Sequence, residues 1–294
     1  HVGHALAGQE ALINKGMRNL ELTTTDIYPN TKSSDNRTES VIKVSFNEED
    51  NSKLNIERRI TARGYNKNSH QYEIVTPYDY YVEYTIPKYE VSSSRLFNKV
   101  LKDYQDEKQK YEQRKVQDYN LREEKMKKSI EEDGDLVLSG YKDFKLISPG
   151  MWIENPFCEY SDKYIIENIC KKAGNNYLIE LPKLIEKQTE FDDEVEKNRT
   201  QDVYMDYARS FLYTIEFEIP EGYSVEGYEN LNKKIESPFG GFESSAKIEA
   251  NKLVISTKKS YDVNYISASD WPKCKEFMNG AVNFTKQKIL LKKK

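Results

Sequence analysis

The side chains of this sequence that could form a nucleophile–base pair are three cysteines and three histidines. The cysteines are Cys158, Cys170 and Cys274, and the histidines are His1, His4 and His70. A thiol nucleophile needs a base within hydrogen-bond reach. No histidine shares a local motif with a cysteine, since two lie at the amino terminus and the third in a predicted polar turn. We therefore expect buried or half-buried thiols without a catalytic role, although a disulfide between Cys158 and Cys170 stays open.

Acidic and glycine-rich segments are the other candidates for chemistry. The acidic runs are residues 48–50, 131–133 and 192–194, which we place in turns or at a helix end, where carboxylates are solvated. A glycosidase needs two carboxyl groups in one cleft, about 5–10 Å apart, and Asp192 with Asp193 keeps a carboxylate-based hydrolase open. The surrounding loop offers oxygen ligands for calcium but lacks a fixed spacing. The sequence has no P-loop or GxGxxG motif, so no metal or cofactor is predicted.

Tyrosine is the enriched residue type, with 22 in 294 positions. Five of these tyrosines cluster ahead of a predicted long helix: Tyr78, Tyr80, Tyr81, Tyr84 and Tyr89. Tyrosine rings with one wet end are enriched at interfaces and stack on sugars. We therefore predict an interaction surface here, with packing at a domain junction as the alternative.

The overall charge and hydropathy exclude two broad classes of protein. The chain has 45 basic and 49 acidic side chains, and both signs are spread along its length. It lacks the basic face that phosphate backbones require, so no nucleic acid is expected as a partner. No apolar run approaches the roughly 20 residues of a membrane-spanning helix. Hydrophobic residues make up 37% of the chain, enough for a folded core under a strongly solvated surface.

Period-two alternation predicts that many segments are strands. It runs through ESVIKVSF and then KLNIERRITARGY, where Arg58 and Ile60 break the phase and a bulge near Arg58–Arg59 is expected. These two segments are predicted to form an antiparallel hairpin. FLYTIEFEI is the strongest strand and ends at Pro220. Further predictions are two strands in residues 135–153, a turn at residues 173–175, a hairpin at Asn251 and a final strand in KQKILLKKK.

Helical spacing predicts one long charged helix and one short C-terminal helix. The long helix covers residues 93–133, is capped by Ser93 or Ser94, and has room for a break near Asn120. TPYDYYVEYTIPKYEV is predicted as a short helix before Pro87, with a strand as the alternative. The C-terminal helix is predicted to start at Ser269, and Gly280 is a weak point inside it.

These elements predict a mostly β fold, with antiparallel β-sandwich segments, one long charged α-helix and a short C-terminal helix. Residues 23–38 are rich in Thr, Ser, Asn and Asp and are predicted to be a loop or linker. Boundaries near Asn36 and after the long helix divide the chain into residues 1–38, 39–140 and 141–294.

Four motifs near the end of the chain carry a resemblance to a known family: IPEGY, AKIEANKL, DWPKCKEFMNGAVNF and the terminal KILLKK. Together with SPGMWIENPFCEY, they make residues 141–294 similar to the C-terminal domain, of unknown function, of exported bacterial transglutaminase-like proteins. The opening GHALAGQEALI resembles the end of the transglutaminase-like core that precedes such a region, which would make residues 1–38 a remnant of that core plus a linker. The resemblance implies an exported protein of the periplasm or cell envelope. The Cys, His and Asp triad of such cores is not contained in this chain.

The first functional hypothesis is a non-catalytic accessory or interaction region of a larger exported transglutaminase-like protein. Its partners would be the upstream transglutaminase-like domain of the same polypeptide and a further protein or glycan. The alternatives are a free-standing glycan- or protein-binding β-sandwich module and the carboxylate-based hydrolase.

Overall fold

The computed structural model describes residues 10–14, 22–27, 31–76, 78–79, 105–151, 154–191 and 199–294, and the elements below are those of this part of the chain. The strands are β1 (Glu10–Asn14), β2 (Leu22–Ile27), β3 (Arg37–Phe46), β4 (Leu54–Ala62), β5 (Leu138–Pro149), β6 (Cys158–Ile166), β7 (Cys170–Ala173), β8 (Asn176–Ile179), β9 (Val203–Tyr204), β10 (Arg209–Glu218), β11 (Tyr223–Glu226), β12 (Lys233–Ser237), β13 (Gly240–Glu249), β14 (Lys252–Tyr261), β15 (Tyr265–Ile266) and β16 (Ile289–Lys293). The helices are α1 (Asn66–Ile74), α2 (Gln105–Gly134) and α3 (Trp271–Thr285). The prediction of a mostly β fold with one long charged helix and a short C-terminal helix is confirmed.

Eight strands form one mixed sheet in the order β12-β13-β14-β10-β3-β4-β6-β5. Neighbouring strands are antiparallel except β3 and β10, which run parallel from Arg37 opposite Ser210 to Val44 opposite Phe217. A second, antiparallel sheet has the order β11-β16-β8-β7. The predicted antiparallel sandwich therefore contains one parallel pair, and that pair brings strands from residues 39–140 and 141–294 into one sheet.

The hydrophobic core lies between the two sheets and under α3. Phe217, from the strand with the clearest alternation, is fully buried on the inner face of the large sheet, and such burial contributes about 1.5–3 kcal/mol. The Phe46 and Tyr177 ring centroids lie 5.1 Å apart, which links β3 to the small sheet. Phe242 and Phe284 lie 5.4 Å apart and link β13 to α3. Aromatic side chains thus hold the layers together.

The predicted hairpins are confirmed. β3 and β4 pair antiparallel along their whole length. β13 and β14 are joined at Ala250 and Asn251, whose φ angles of 45° and 63° are those of a two-residue type I′ turn. Gly174, with a φ of 64°, forms the predicted turn between β7 and β8. Turn residues that tolerate positive φ therefore set these strand pairings.

Helix α3 packs closely on the edge strands β12 and β13. A Cβ atom on Gly280 would lie 2.2 Å from Cδ1 of Ile235, so the glycine allows the close approach of helix and strand. The predicted cap at Ser269 is wrong. The helix follows Asp270, whose N–H is bonded to Oγ of Ser267 at 3.2 Å.

The C-terminal half of α2 is docked on the body of the protein through one face. Met126 and Ile130, one turn apart, are only 3% and 4% exposed. One turn earlier, Nη1 of Arg122 donates to Oδ2 of Asp79 at 3.0 Å, and its guanidinium lies 4.2 Å from the Phe144 ring centroid. Helical periodicity places the three α2 side chains on one stripe, which faces α1 and β5.

Other local predictions differ from the structure. α2 continues without a break at Asn120, and β2, which pairs with β1, lies partly in the segment predicted to be a linker. The segment predicted as two strands forms the single strand β5, whose register shifts three times against β6 and where Asp143 has a φ of 57°. Such irregularities interrupt the alternation and resemble a strand boundary in the sequence. The short helix predicted before Pro87 (apart from residues 76, 78 and 79) and the cap at residues 93–94 lie outside the described residues.

Candidate functional site

A cavity of about 420 Å³ lies against the polar half of the inner face of the eight-stranded sheet. Side chains of β3, β4, β6 and β10 form its floor, α1 and α2 contribute walls, and residues 183–186 border it. A smaller cavity of about 140 Å³ adjoins the first. The wall residues common to both are Ile185, Glu186, Arg209, Phe211 and Tyr213. The two cavities therefore form one continuous candidate site.

A buried ion pair between Arg58 of β4 and Asp162 of β6 lies at the floor of the larger cavity. The two residues are direct cross-strand neighbours. Nε of Arg58 donates to Oδ1 of Asp162 at 3.0 Å and Nη2 donates to Oδ2 at 2.6 Å, while the Tyr141 hydroxyl donates to Oδ2 at 3.2 Å. The Asp162 side chain has no exposed surface. Burial alone would lower the pKa of Arg58, but the charge of Asp162 outweighs this and raises that pKa above its usual value.

The ion pair explains the break of phase in the sequence of β4. The strand keeps its register through Arg58 against both neighbours, so the predicted bulge near Arg58–Arg59 is wrong. Ile56 and Ile60 are buried on the same face. Arg58 is in phase with them and points inward, and an inward charge imitates a break in the alternation.

His70 lies in α1 and not in the predicted polar turn. Its Nδ1 is 3.1 Å from the hydroxyl of Tyr160, whose own pKa is raised, chiefly by burial. Burial and the nearby charge of Arg58 lower the pKa of His70 to about 4. The imidazole is therefore neutral near pH 7 and is a weak base there.

The three cysteines are free, buried thiols. Burial raises the pKa of Cys158 and of Cys170 to about 12, and that of Cys274 to about 11. Because the thiolate is the nucleophile, thiols with such pKa values are inert near neutral pH. The prediction of buried thiols is confirmed, and Cys158 and Cys170 form no disulfide.

Two further cations face the smaller cavity. Arg209, at the start of β10, has its guanidinium carbon 5.2 Å from the Tyr261 ring centroid. Nζ of Lys259, on β14, donates to Oε1 of Gln188 at 2.7 Å. Burial lowers the pKa of Lys259 to about 8, since the attraction of Glu186 only partly offsets burial and the repulsion by Arg209. A lysine with such a pKa in a cavity is a candidate for ligand binding.

Most of the site residues predicted from the sequence lie elsewhere. Tyr78 is half-buried. The predicted residues outside the described part of the chain are Tyr80, Tyr81, Tyr84, Tyr89, Asp192, Asp193, His1 and His4. The interaction surface, the carboxylate pair and the calcium loop thus stay predictions. Within the described ranges, no group of three or more His, Cys, Asp or Glu side chains is arranged to hold a metal ion, and none of the helices has the length and apolar character to cross a membrane.

Sequence reasoning missed the charged groups of the cavity, although a local signal was present. Arg209 alternates in phase with Phe211 and Tyr213, and Lys259 in phase with Thr257 and Tyr261. A charge at the parity of the inward-facing residues of a strand is rare unless it is paired or used. The alternation identifies such positions, but only strand register shows which of them meet.

The comparisons with known proteins concern the C-terminal part of the chain. No curated protein and no solved structure matches the chain. The segment from β8 to β16 supplies Arg209 and Lys259 to the site, whereas Arg58 and Asp162 precede it. That segment corresponds to the one family match, in which residues 175–291 are similar to DUF3858, a domain of unknown function with a solved structure.

Proposed function

We propose that this chain is a non-catalytic interaction region of a larger, exported transglutaminase-like protein, in which it supports the catalytic core or binds a partner. The motifs in residues 141–294 support the association with such a core. The similarity of residues 175–291 to DUF3858 supports the assignment of that part as a domain of unknown function.

The state of the potential catalytic groups is the observation that carries the non-catalytic role. The thiols have raised pKa values, and His70 is a weak base bonded to a phenol. Asp162 accepts three hydrogen bonds, two of them from Arg58. Each group therefore serves the fold in its present position, and a nucleophile–base pair would need a different arrangement.

The outer face of the eight-stranded sheet is the surface we assign to the upstream core. Val41 in the central strand β3 is 38% exposed there. The same face carries cross-strand ion pairs, among them Lys163 with Glu57 and Lys252 with Glu216. Paired charges around an exposed aliphatic side chain are typical of the rather polar interfaces between domains of one polypeptide.

The test is an immunoblot of fractionated native cells with an antibody to this chain, and a strain lacking the gene is the control. The proposal predicts a band well above 34.5 kDa, the mass of the chain, in the envelope fraction. A band at 34.5 kDa in the soluble fraction would contradict it. The polypeptide would then act by itself.

A free-standing binding module is the second candidate, and an exposed aromatic pair favours it. Tyr204 and Tyr265 are 76% and 44% exposed, and their ring centroids lie 5.0 Å apart. Asp202 fixes the pair, since it accepts bonds from the Tyr265 hydroxyl at 2.9 Å and from the N–H of Ala268 at 2.8 Å. Fixed, exposed tyrosines suit stacking on sugars or contacts with proteins. A chain of native length whose saturable glycan binding is abolished by Tyr204→Ala would support this candidate.

The carboxylate-based hydrolase remains the third candidate. It predicts that turnover is lost when Asp192 and Asp193 are both changed to asparagine. Turnover that is unchanged in that double variant would exclude this pair.

A further inference from the structure

We propose that Arg209 and Lys259 form a binding subsite for the oxyanion group, carboxylate or phosphate, of a small organic anion. The subsite lies in the smaller of the two cavities. This inference goes beyond the proposed function and does not depend on it, because the subsite is on the inner face of the sheet whereas the surface assigned to the core is on the outer face.

The fold places the two cations side by side. Arg209 is opposite Tyr261 on β14, and Phe211 is opposite Lys259. Arg209 and Lys259 are therefore diagonal neighbours on one face, a separation that long side chains can bridge. Their cationic groups lie 5.2 Å and 5.1 Å from the centroid of the same ring, that of Tyr261.

The hydrogen-bonding capacity of these cations is largely unused by the described part of the protein. The Arg209 guanidinium, which has five N–H donors, contacts there only the rings of Tyr207 and Tyr261. The ammonium of Lys259 donates to Gln188, whose amide oxygen carries no charge. Neither cation has a carboxylate within 4.0 Å among the described residues.

The nearest anionic influence on the subsite is Glu186. Its carboxylate attracts Lys259 and accepts a bond from the Tyr213 hydroxyl at 3.3 Å. One carboxylate facing two cations leaves an excess positive charge in a partly desolvated space, where charge is costly unless it is paired. A bound anion would supply the missing charge and would raise the lowered pKa of Lys259.

The shape of the site indicates the class of ligand. About 140 Å³ accommodates an oxyanion group, and the planar guanidinium suits two parallel bonds to a carboxylate or phosphate. The adjoining space of about 420 Å³ receives the rest of the molecule beside Phe211 and Tyr213. Their combined size is in the range of small-molecule sites. The ligand is thus a small organic anion with an apolar or aromatic body.

The experiment is a titration of the full chain, labelled with ¹⁵N, with sodium acetate and separately with inorganic phosphate at pH 7 and constant ionic strength. The readouts are the Nε–H signal of Arg209 and the backbone amides around Tyr261. We expect saturable shifts with half-saturation at about 1–10 mM, as befits a group without the rest of its ligand. Saturation by acetate alone identifies a carboxylate site, and saturation by phosphate alone identifies a phosphate site.

Variants test whether the two named cations carry the binding. Lys259→Gln should weaken binding at least tenfold, and Arg209→Gln should abolish the shifts around Tyr261. The matched control is Lys258→Gln, which changes the exposed neighbour on the opposite face and should bind like the parent chain. If a variant does not fold, Arg209→Lys and Lys259→Arg replace it, since they keep the charge but alter the donor geometry. Linear shifts with both anions, or unchanged saturation in the Arg209 variants, would overturn the proposal.

Discussion

Replacing Asp162 by asparagine tests the strongest electrostatic contact of the candidate site. Asparagine keeps the size of the side chain but removes its charge and turns one acceptor into a donor. Asp162 has no exposed surface, and Arg58 is 14% exposed. The variant therefore leaves a guanidinium in the core without its counter-ion and with a donor facing it.

The expected loss of stability follows from these contacts. Removing one partner of a buried ion pair costs about 3–5 kcal/mol because the other charge stays buried. An independent value comes from the two bonds that Arg58 makes to Asp162, since bonds to charged groups contribute about 1.5–3 kcal/mol each. Both routes give a similar figure. For a chain of this size the melting temperature should fall by about 6–20 °C.

The assay is urea unfolding followed by circular dichroism, with Glu57→Gln as the matched control. Glu57 and Lys163 are cross-strand neighbours one position from Arg58 and Asp162, on the same two strands but on the exposed face. Glu57→Gln should leave the midpoint nearly unchanged. An Asp162→Asn midpoint equal to that of the control would refute the reasoning.

Further changes should act through contacts of the helices. Burial lowers the pKa of His70 to about 4 from an ordinary 6.5, so its contribution is complete above pH 6.5 and is lost as the pH falls towards 4; urea unfolding should show a loss of at most about 2 kcal/mol between pH 7 and pH 5, which His70→Gln removes. Arg122→Met leaves the carboxylate of Asp79 without its ion pair and should cost about 3–5 kcal/mol, with faster amide exchange in the C-terminal half of α2, whereas slow exchange there would contradict the docking. Gly280→Ala should destabilise the parent by about 1 kcal/mol through overpacking against Ile235. In an Ile235→Val background, which lacks the clashing Cδ1, the same change should stabilise by up to about 1 kcal/mol through helix propensity, and equal effects in both backgrounds would contradict the packing argument.

The strands are predictable from the sequence where alternation is undisturbed. β10 and the β3–β4 hairpin follow from period two, and the turn at Asn251 follows from residues that accept positive φ. The single strand β5 is not predictable in this way, because its register shifts mask the alternation. Local pattern therefore gives the elements where sheet geometry is regular.

The candidate site is less predictable because it depends on pairings distant in sequence. Arg58 meets Asp162 only because β4 lies next to β6, and 104 positions separate the two residues. Arg209 and Lys259 share a cavity only because β10 pairs with β14. Alternation marks such side chains as inward, but the choice of partner follows from the order of strands, which no local pattern encodes.

The parallel pairing of β3 with β10 has a consequence for synthesis of the chain. Asn36, just before β3, bonds to the carbonyl of Ala208, which is 172 residues later. At about 5–20 residues per second, a ribosome needs roughly 10–30 s to cover that distance. During this interval the edge of β3 that β10 will cover has no partner, and open strand edges promote aggregation. The first half of the large sheet must therefore be kept from association with other nascent chains until the second half has emerged.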